Sequence, residues 1–350
     1  MLPGFFRGAV VGALLYAASG CAPAAPPAVR IAGADYASLD AAGSELGLRA
    51  SSNLLGNKFS LTDGSHRVML QSEEREAYVD GLRVFLGAPA LMSGGQLYVS
   101  RIDLDRRLKP MVRPALGGLP PAHPRIIALD PGHGGWDPGA QNLRLGMMEK
   151  TYTLDVALRL KNLLERQGDK VVLTRADDRP LGSDKESDLK ARAMIANLAH
   201  ADLFISIHFN SLPNDTRTNG TEVYTFPPQF QRSSDSWSQR KDDSDREASP
   251  VNRQDHWSVV LAHALHRQLI GRLHTMDRGE KLRHLGVLRA LQCPGVLIES
   301  AFISNDAEAR RVASPAFQQQ IAEAMQAGIN DYAATVDSLR PAPPHPGPVQ

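Results

Sequence analysis

Four side chains in this sequence are of the types that hydrolytic chemistry uses: His133, Glu149, His208 and Glu299. Two imidazoles and one carboxylate form the ligand set of many catalytic zinc centres, which keep a fourth position for water. A further carboxylate beside such a centre can take a proton and return it. The four are spread along the chain, so the chemistry depends on a fold that gathers them. His133 lies in a glycine-rich turn, Asp130-Pro131-Gly132-His133-Gly134-Gly135, after the apolar run Ile126-Ile127-Ala128-Leu129. Glycine tolerates the tight backbone of such a turn, which leaves the imidazole free to face a cleft. His208 ends a second run, Leu203-Phe204-Ile205-Ser206-Ile207-His208, and Glu299 a third, Gly295-Val296-Leu297-Ile298-Glu299. Each reads as a buried strand that stops on a reactive residue. In an open α/β sheet, ligands sit outside the carboxyl ends of the strands, so three such endings are expected to converge. Glu149 opens a helical pattern and is the expected fourth member. On its own it reads equally well as a carboxylate favoured by a helix N-terminus, worth about 1 kcal/mol or less.

The elements that must position these residues alternate between strand and helix patterns. Helices are expected at 149–167, stopped by Gly168, at 187–200 behind a Ser187 cap, at 257–273, and from Ser314-Pro315 onward, with a strand at 170–174. This alternation implies βαβ units, hence an α/β fold with an open, twisted, mostly parallel sheet and helices on both faces. Residues 29–112 differ. A helix at 39–48 and short strands at 58–62, 67–70, 77–79, 82–86 and 97–99, with Asp63-Gly64 as a hairpin turn, make a small α+β domain. Residues 113–124, rich in Pro and Gly, read as a linker to the larger domain at 125–336, and residues 337–350 as a disordered Pro-rich tail.

Asp130-Pro131-Gly132-His133-Gly134-Gly135-Trp136-Asp137-Pro138-Gly139-Ala140, then Glu149-Lys150, then Ser206-Ile207-His208-Phe209-Asn210, then Val296-Leu297-Ile298-Glu299-Ser300-Ala301-Phe302-Ile303-Ser304-Asn305 closely resemble the zinc-dependent N-acetylmuramoyl-L-alanine amidases. The likeness spans residues 125–334 and includes Gly286-Val287-Leu288-Arg289. It implies that His133, Glu149 and His208 bind zinc (Zn2+) and that Glu299 is the catalytic glutamate. The bond cut would be the amide between N-acetylmuramic acid and L-alanine of peptidoglycan, in cell-wall remodelling or daughter-cell separation. Asp130 is expected to orient a histidine ligand or to stabilise its turn, and Asn210 to hydrogen-bond the substrate. Phe209, where the family often has a small residue, is expected to reshape the groove. A zinc peptidase acting on stem peptides and a silent wall-binding module stay open as alternatives. Residues 29–112 loosely resemble the small N-terminal domain of copper amine oxidases, which implies a wall-binding, positioning or spacer role and no chemistry.

The other histidines, including His200, His256, His263, His266, His274 and His284, sit on helical or loop patterns and are expected at the surface or in packing. A polar stretch at 229–256 carries charge of both signs. A solvated loop is the default reading there; some relatives of the resembled family have an inserted helix in that region that blocks the site until an activator protein displaces it, so gating of access is the alternative. The chain opens with Arg7 and an apolar run at 9–18, shaped like an export signal and too short for a stable membrane span. Ala17-Ala18-Ser19-Gly20-Cys21 resembles a bacterial lipoprotein signal, although Ala18 stands where leucine is common. Ordinary cleavage nearby is the alternative, and residues 22–27 form a tether either way. An exported cell-envelope protein, periplasmic or an outer-membrane lipoprotein, follows, with a lipid anchor as its one membrane contact. Cys21 and Cys293 are the two cysteines, so lipidation of the first leaves no internal disulfide. A net charge of +1 gives no support to nucleic acid as a partner.

Overall fold

The computed structural model describes residues 28–53, 57–234 and 246–340. The signal-like run, Cys21, the tether, the segment 235–245 and the tail from Pro341 lie outside the described residues. The N-terminal strands are short because turn residues interrupt them: β1 (Val29–Ile31), β2 (Ala34–Ser38), β3 (Arg49–Asn53), β4 (Lys58–Thr62), β5 (Arg67–Gln71), β6 (Glu76–Val79), β7 (Leu82–Phe85), β8 (Leu91–Ser93) and β9 (Gln96–Ser100). Helix α1 (Leu39–Leu46) starts at Ser38, whose hydroxyl accepts the Ala41 amide, and stops at Gly47. There φ is 63°, a left-handed cap that favours glycine. Phe59, Leu61, Val68 and Leu70 alternate inward along β4 and β5, which sets the register of the expected hairpin. After β9 come α2 (Arg101–Asp103), a π-helical turn (Leu104–Leu108), α3 (Lys109–Val112) and a 3-10 turn (Pro114–Gly117).

The second series is β10 (Ile126–Pro131), β11 (Gln141–Asn142), β12 (Met147–Met148), α4 (Glu149–Arg166), β13 (Lys170–Leu173), α5 (Lys185–Leu198), β14 (Leu203–Asn210), β15 (Thr221–Thr225), α6 (Asp255–Leu273), β16 (Asp277–Leu282), α7 (Gly286–Arg289), β17 (Gly295–Phe302), α8 (Asp306–Val312) and α9 (Pro315–Ser338). Its main strands lie in the order β13-β10-β14-β17-β15-β16, parallel throughout except for the β15–β17 pair. Period-two alternation builds both layers. Ile127, Leu129, Ile205, Ile207, Val296 and Ile298 join the core under α4, α6 and α9, while Ala128, Phe204 and Leu297 face α5 and α7. This is the expected α/β sheet with helices on both faces. One boundary moves: α5 begins behind Asp184, whose carboxylate accepts the Ser187 amide, so Ser187 closes the capping box from inside the first turn instead of being the cap.

The sheet does not end at β16. β7 pairs in parallel with it, Glu280 opposite Val84, and the antiparallel meander β7-β6-β5-β4-β3 continues the same sheet to eleven strands. Arg107, fully buried, crosses the junction and donates to Thr225 Oγ1 and to the Glu280 carbonyl, each at 3.1 Å. The buried carboxylate of Glu280 meets His263 Nδ1 at 2.7 Å, and Asp277 meets His266 Nε2 at 2.8 Å. Those two histidines therefore pack, as expected of them. Residues 113–124 join two stretches of chain that share one sheet.

Candidate active site

Three neighbouring strands carry the site. β10, β14 and β17 lie side by side, and His208 is the register partner of Glu299. The strands do not stop where the sequence suggested: β14 runs two residues past His208 and β17 three past Glu299. Beyond a register shift between His208 and Asn210 the two strands pair again, Asn210 opposite Phe302. His133 sits past the end of β10 at φ 63°, uncommon for a residue with a side chain.

His133, Glu149 and His208 come together, their candidate ligand atoms all within 4.8 Å of one another. Glu149 Oε2 lies 3.0 Å from His133 Nε2, and Glu149 Oε1 lies 2.9 Å from His208 Nδ1. The carboxylate is 3% exposed and also accepts the amides of Ala140 at 2.7 Å and Phe209 at 2.9 Å. Burial pushes the Glu149 carboxyl up, but hydrogen bonds and charge from the two imidazoles outweigh it and hold it well below the usual range. Burial lowers His133 while Glu149 and Asp137 raise it, and the net direction is up. Glycines make the space: a Cβ on Gly132 would lie 2.1 Å from His208 Cε1, and one on Gly139 would lie 2.5 Å from Glu149 Oε2. Two nitrogens and a buried carboxylate at this spacing suit a divalent cation of zinc type.

Glu299 stands over this cluster. Its Oε2 is buried and accepts no hydrogen bond from the described residues. Burial, then the charges of Glu149 and Glu222, push its carboxyl well above the ordinary value. Glu222 is the cross-strand partner of Glu299 on β15 and is itself buried. It accepts from Arg278 at 2.8 Å, Lys281 at 2.6 Å, Tyr224 at 2.6 Å and the Asn210 amide at 2.8 Å. The cleft around these groups has a volume of about 470 Å³, and Trp136, Lys185, Leu189, Arg283 and Val287 form its outer walls.

Some expected roles shift. Asp130 does not reach a histidine: it accepts Thr174 at 2.6 Å, Ser206 at 2.7 Å and Arg192 at 2.8 Å, so it braces the base of the turn. The carboxylate on His133 Nδ1 is Asp137, at 2.9 Å. It stands four residues on in the same turn, a spacing visible in the sequence. Asn210 lines the cleft, but its amide donates to Glu222 and its oxygen accepts the Ser211 amide, so its structural task is to hold Glu222. Phe209 lines the cleft, but at 1% exposure its side chain packs in the core on the face opposite His208. Two buried arginines were not anticipated. Arg175 donates to the carbonyls of Pro131 and Gly132, and Arg192 to those of Pro131 and His133, so the turn that carries His133 hangs from two guanidinium forks.

The family description N-acetylmuramoyl-L-alanine amidase matches residues 127–331. The germination-specific N-acetylmuramoyl-L-alanine amidase of Bacillus subtilis is 30% identical over 220 residues, 61% of this chain and 81% of that protein. N-acetylmuramoyl-L-alanine amidase AmiC of Escherichia coli O6:H1 is 31% identical over 251 residues, 65% of this chain and 58% of that one. Among solved structures, an N-acetylmuramoyl-L-alanine amidase from Clostridium difficile is 27% identical with a TM-score of 0.49, covering 61% of this chain and 99% of its own. The family match covers more than half of the sequence and contains all four candidate catalytic positions, so this chain belongs to the N-acetylmuramoyl-L-alanine amidase family.

Proposed function

We propose that the chain hydrolyses the amide between N-acetylmuramic acid and the L-alanine of peptidoglycan stem peptides, with zinc held by His133, Glu149 and His208. The observation that carries this reading is the buried Glu299 oxygen, without a hydrogen-bond partner among the described residues, beside a His-Glu-His cluster, in a chain of this family. Bound zinc would supply a more acidic water and a polarised substrate carbonyl. Glu299 takes the proton of the attacking water and delivers it to the departing L-alanine nitrogen, and its raised proton affinity suits a group that must hold that proton between the two steps. Asp137 accepts the Nδ1 proton of His133, which fixes the tautomer and leaves Nε2 as the donor atom. Arg175 and Arg192 keep the turn from drifting. Export to the cell envelope, with Cys21 as a lipid acceptor, belongs to the same proposal; the mass of the mature protein checks it.

The test is mass spectrometry of products from purified peptidoglycan treated with the zinc-loaded chain, the chelated chain and Glu299→Ala. The expected product is intact stem peptide with a free L-alanine amine, absent from both controls. A cut inside the peptide would make the protein a stem-peptide peptidase, and binding without products would make it a wall-binding module.

A further inference from the structure

A single exposed apolar side chain means little by itself, but Trp136 is both exposed and held still. It is 50% exposed on the rim of the cleft and belongs to none of the apolar cores. Gly134 and Asp137 exchange backbone hydrogen bonds at 3.0 and 3.1 Å, which leaves Gly135 and Trp136 as the two-residue tip of a tight turn. Gly135 takes the first tip position at φ 56°, where glycine is favoured. Its amide donates to Asp178 Oδ1 at 2.7 Å, and Lys150 Nζ donates to its carbonyl and to Asp178 Oδ2, each at 2.8 Å. At the far end of the side chain, the indole Nε1 donates to the Gly182 carbonyl at 3.1 Å. The ring is therefore tethered through its backbone and through its polar edge, while apolar ring surface stays uncovered.

The next residue, Asp137, meets His133 Nδ1, so the turn that displays the ring also braces the ligand cluster. Apart from the histidines, Phe209 is the other aromatic residue lining the cleft among the described residues, and its side chain is buried. Trp136 is thus the aromatic surface that a bound molecule meets. Lys185, exposed and three residues past Gly182, also lines the cleft and has no ion-pair partner among the described residues, which leaves its ammonium as a donor to hydroxyl or carbonyl oxygens. The bond cut in the proposed reaction joins a lactyl group, carried on the sugar ring of N-acetylmuramic acid, to L-alanine. On the amine side the nearest apolar group is a methyl. On the acyl side it is the flat CH face of a pyranose with its rim of hydroxyls, a shape that covers an indole face and hydrogen-bonds around it.

We infer that Trp136 is the stacking surface for the N-acetylmuramic acid ring, and so the residue by which the site tells an amide on the glycan from the same amide on a free acyl peptide. The inference rests on the amidase reading for its substrate. The tether matters to it, because a surface fixed before binding loses little freedom when the sugar arrives.

The test compares the full zinc-loaded chain with Trp136→Ala and Trp136→Phe, with thermal melting as the check on folding. Two substrates carry the same scissile amide: a soluble disaccharide with its stem peptide, and the same stem peptide acylated by lactate alone. The quantity read is the ratio of kcat/KM on the first to that on the second. Trp136→Ala should lower this ratio about tenfold, whereas Trp136→Phe, which keeps a ring but loses the Gly182 hydrogen bond, should hold it within about threefold of wild type. A ring that only braces the Gly182 loop would lower both rates together. An unchanged ratio in Trp136→Ala, or a Phe variant as poor as the Ala variant, would overturn the inference. If the wild-type chain cuts neither substrate, the amidase reading falls, and the indole N–H resonance that Trp136→Phe removes then decides the sugar site. A shift of that resonance on titration with the disaccharide peptide and not with the lactyl peptide would uphold the site, and any other pattern would overturn it.

Discussion

Replacing Gly132 by alanine should remove the metal centre while leaving the fold in place. Gly132 is not among the positive-φ glycines, so its backbone accepts a side chain. The added Cβ would lie 2.1 Å from His208 Cε1 and 2.3 Å from its Nε2, whereas carbon atoms rest at about 3.5–4.0 Å. Something must retreat by well over about 1 Å. The Gly132 amide donates to the Ile207 carbonyl at 3.0 Å, and its own carbonyl accepts Thr153 at 2.9 Å and Arg175 at 2.8 Å. Breaking those bonds would cost about 1 kcal/mol for each neutral one and more for the guanidinium. Swinging His208 away costs chiefly its hydrogen bond with Glu149 and its edge-on ring contact with His133. The imidazole therefore moves.

The expected loss of stability is about 1–3 kcal/mol, the usual cost of overpacking. Activity should fall by about a hundredfold or more, since a displacement of about 1 Å at a reacting site has that effect. Elemental analysis after zinc loading, a urea melt and the rate of amine release from peptidoglycan would be measured together. A Gly132→Ala protein that holds zinc at the wild-type ratio and turns over within a few-fold of wild type would refute the argument that Gly132 exists to make room for His208.

Asp137→Ala removes the acceptor of His133 Nδ1 and should weaken zinc binding about 10–100-fold in chelator competition, with a smaller effect on melting. Arg192→Leu leaves the buried Asp130 without its cation and should cost about 3–5 kcal/mol in a urea melt; a loss under about 1 kcal/mol would mean that Thr174 and Ser206 suffice. Asp255, at the start of α6, is pushed up to about 7 by burial, although its Asn252 hydrogen bond lowers it. In the window from its ordinary 3.8 to about 7 the folded chain binds more protons than the unfolded one, so stability falls as pH rises. Asp255→Asn should therefore gain roughly 2–3 kcal/mol over wild type at pH 8 and little at pH 4, after discounting the favour that a helix N-terminus shows an anion; a gain equal at both pH values would contradict it.

The candidate site was legible because its signals are local. Glycines around His133, a strand run before it and a second run ending in His208 are each visible within about ten residues, and Glu299 repeats the pattern. What depended on side-chain partners was not legible. Asp130 and Asp137 are both aspartates near His133, and choosing between them requires knowing that Arg192 on α5 takes the first. The arginines that hold the turn come from the end of β13 and from α5, and nothing in their neighbourhoods marks them.

The sheet that runs on into the accessory strands was hidden for a related reason. β16 reads Asp277-Arg278-Gly279-Glu280-Lys281-Leu282, with charge where a buried strand should be apolar. Glu280 can face inward because His263 on α6 meets its carboxylate there, with the positive charge of Arg107, bonded to the Glu280 backbone carbonyl, close by. A strand whose inward residue is satisfied by ionic partners carries no hydrophobic alternation, so pattern reading ends the sheet one strand early and puts a domain border at the Pro-rich linker. The packing contradicts that border, since Val259 of α6 lies in the core of the accessory strands. The linker marks where the chain crosses the surface, whereas the buried groups of β16, α6 and Arg107 mark where the two halves depend on each other. A residue that buries a charge only when its partner arrives from another segment is a condition on assembly, and at this junction Glu280 meets it through His263 of α6, while the buried Arg107 reaches across to the Thr225 hydroxyl and the Glu280 backbone carbonyl.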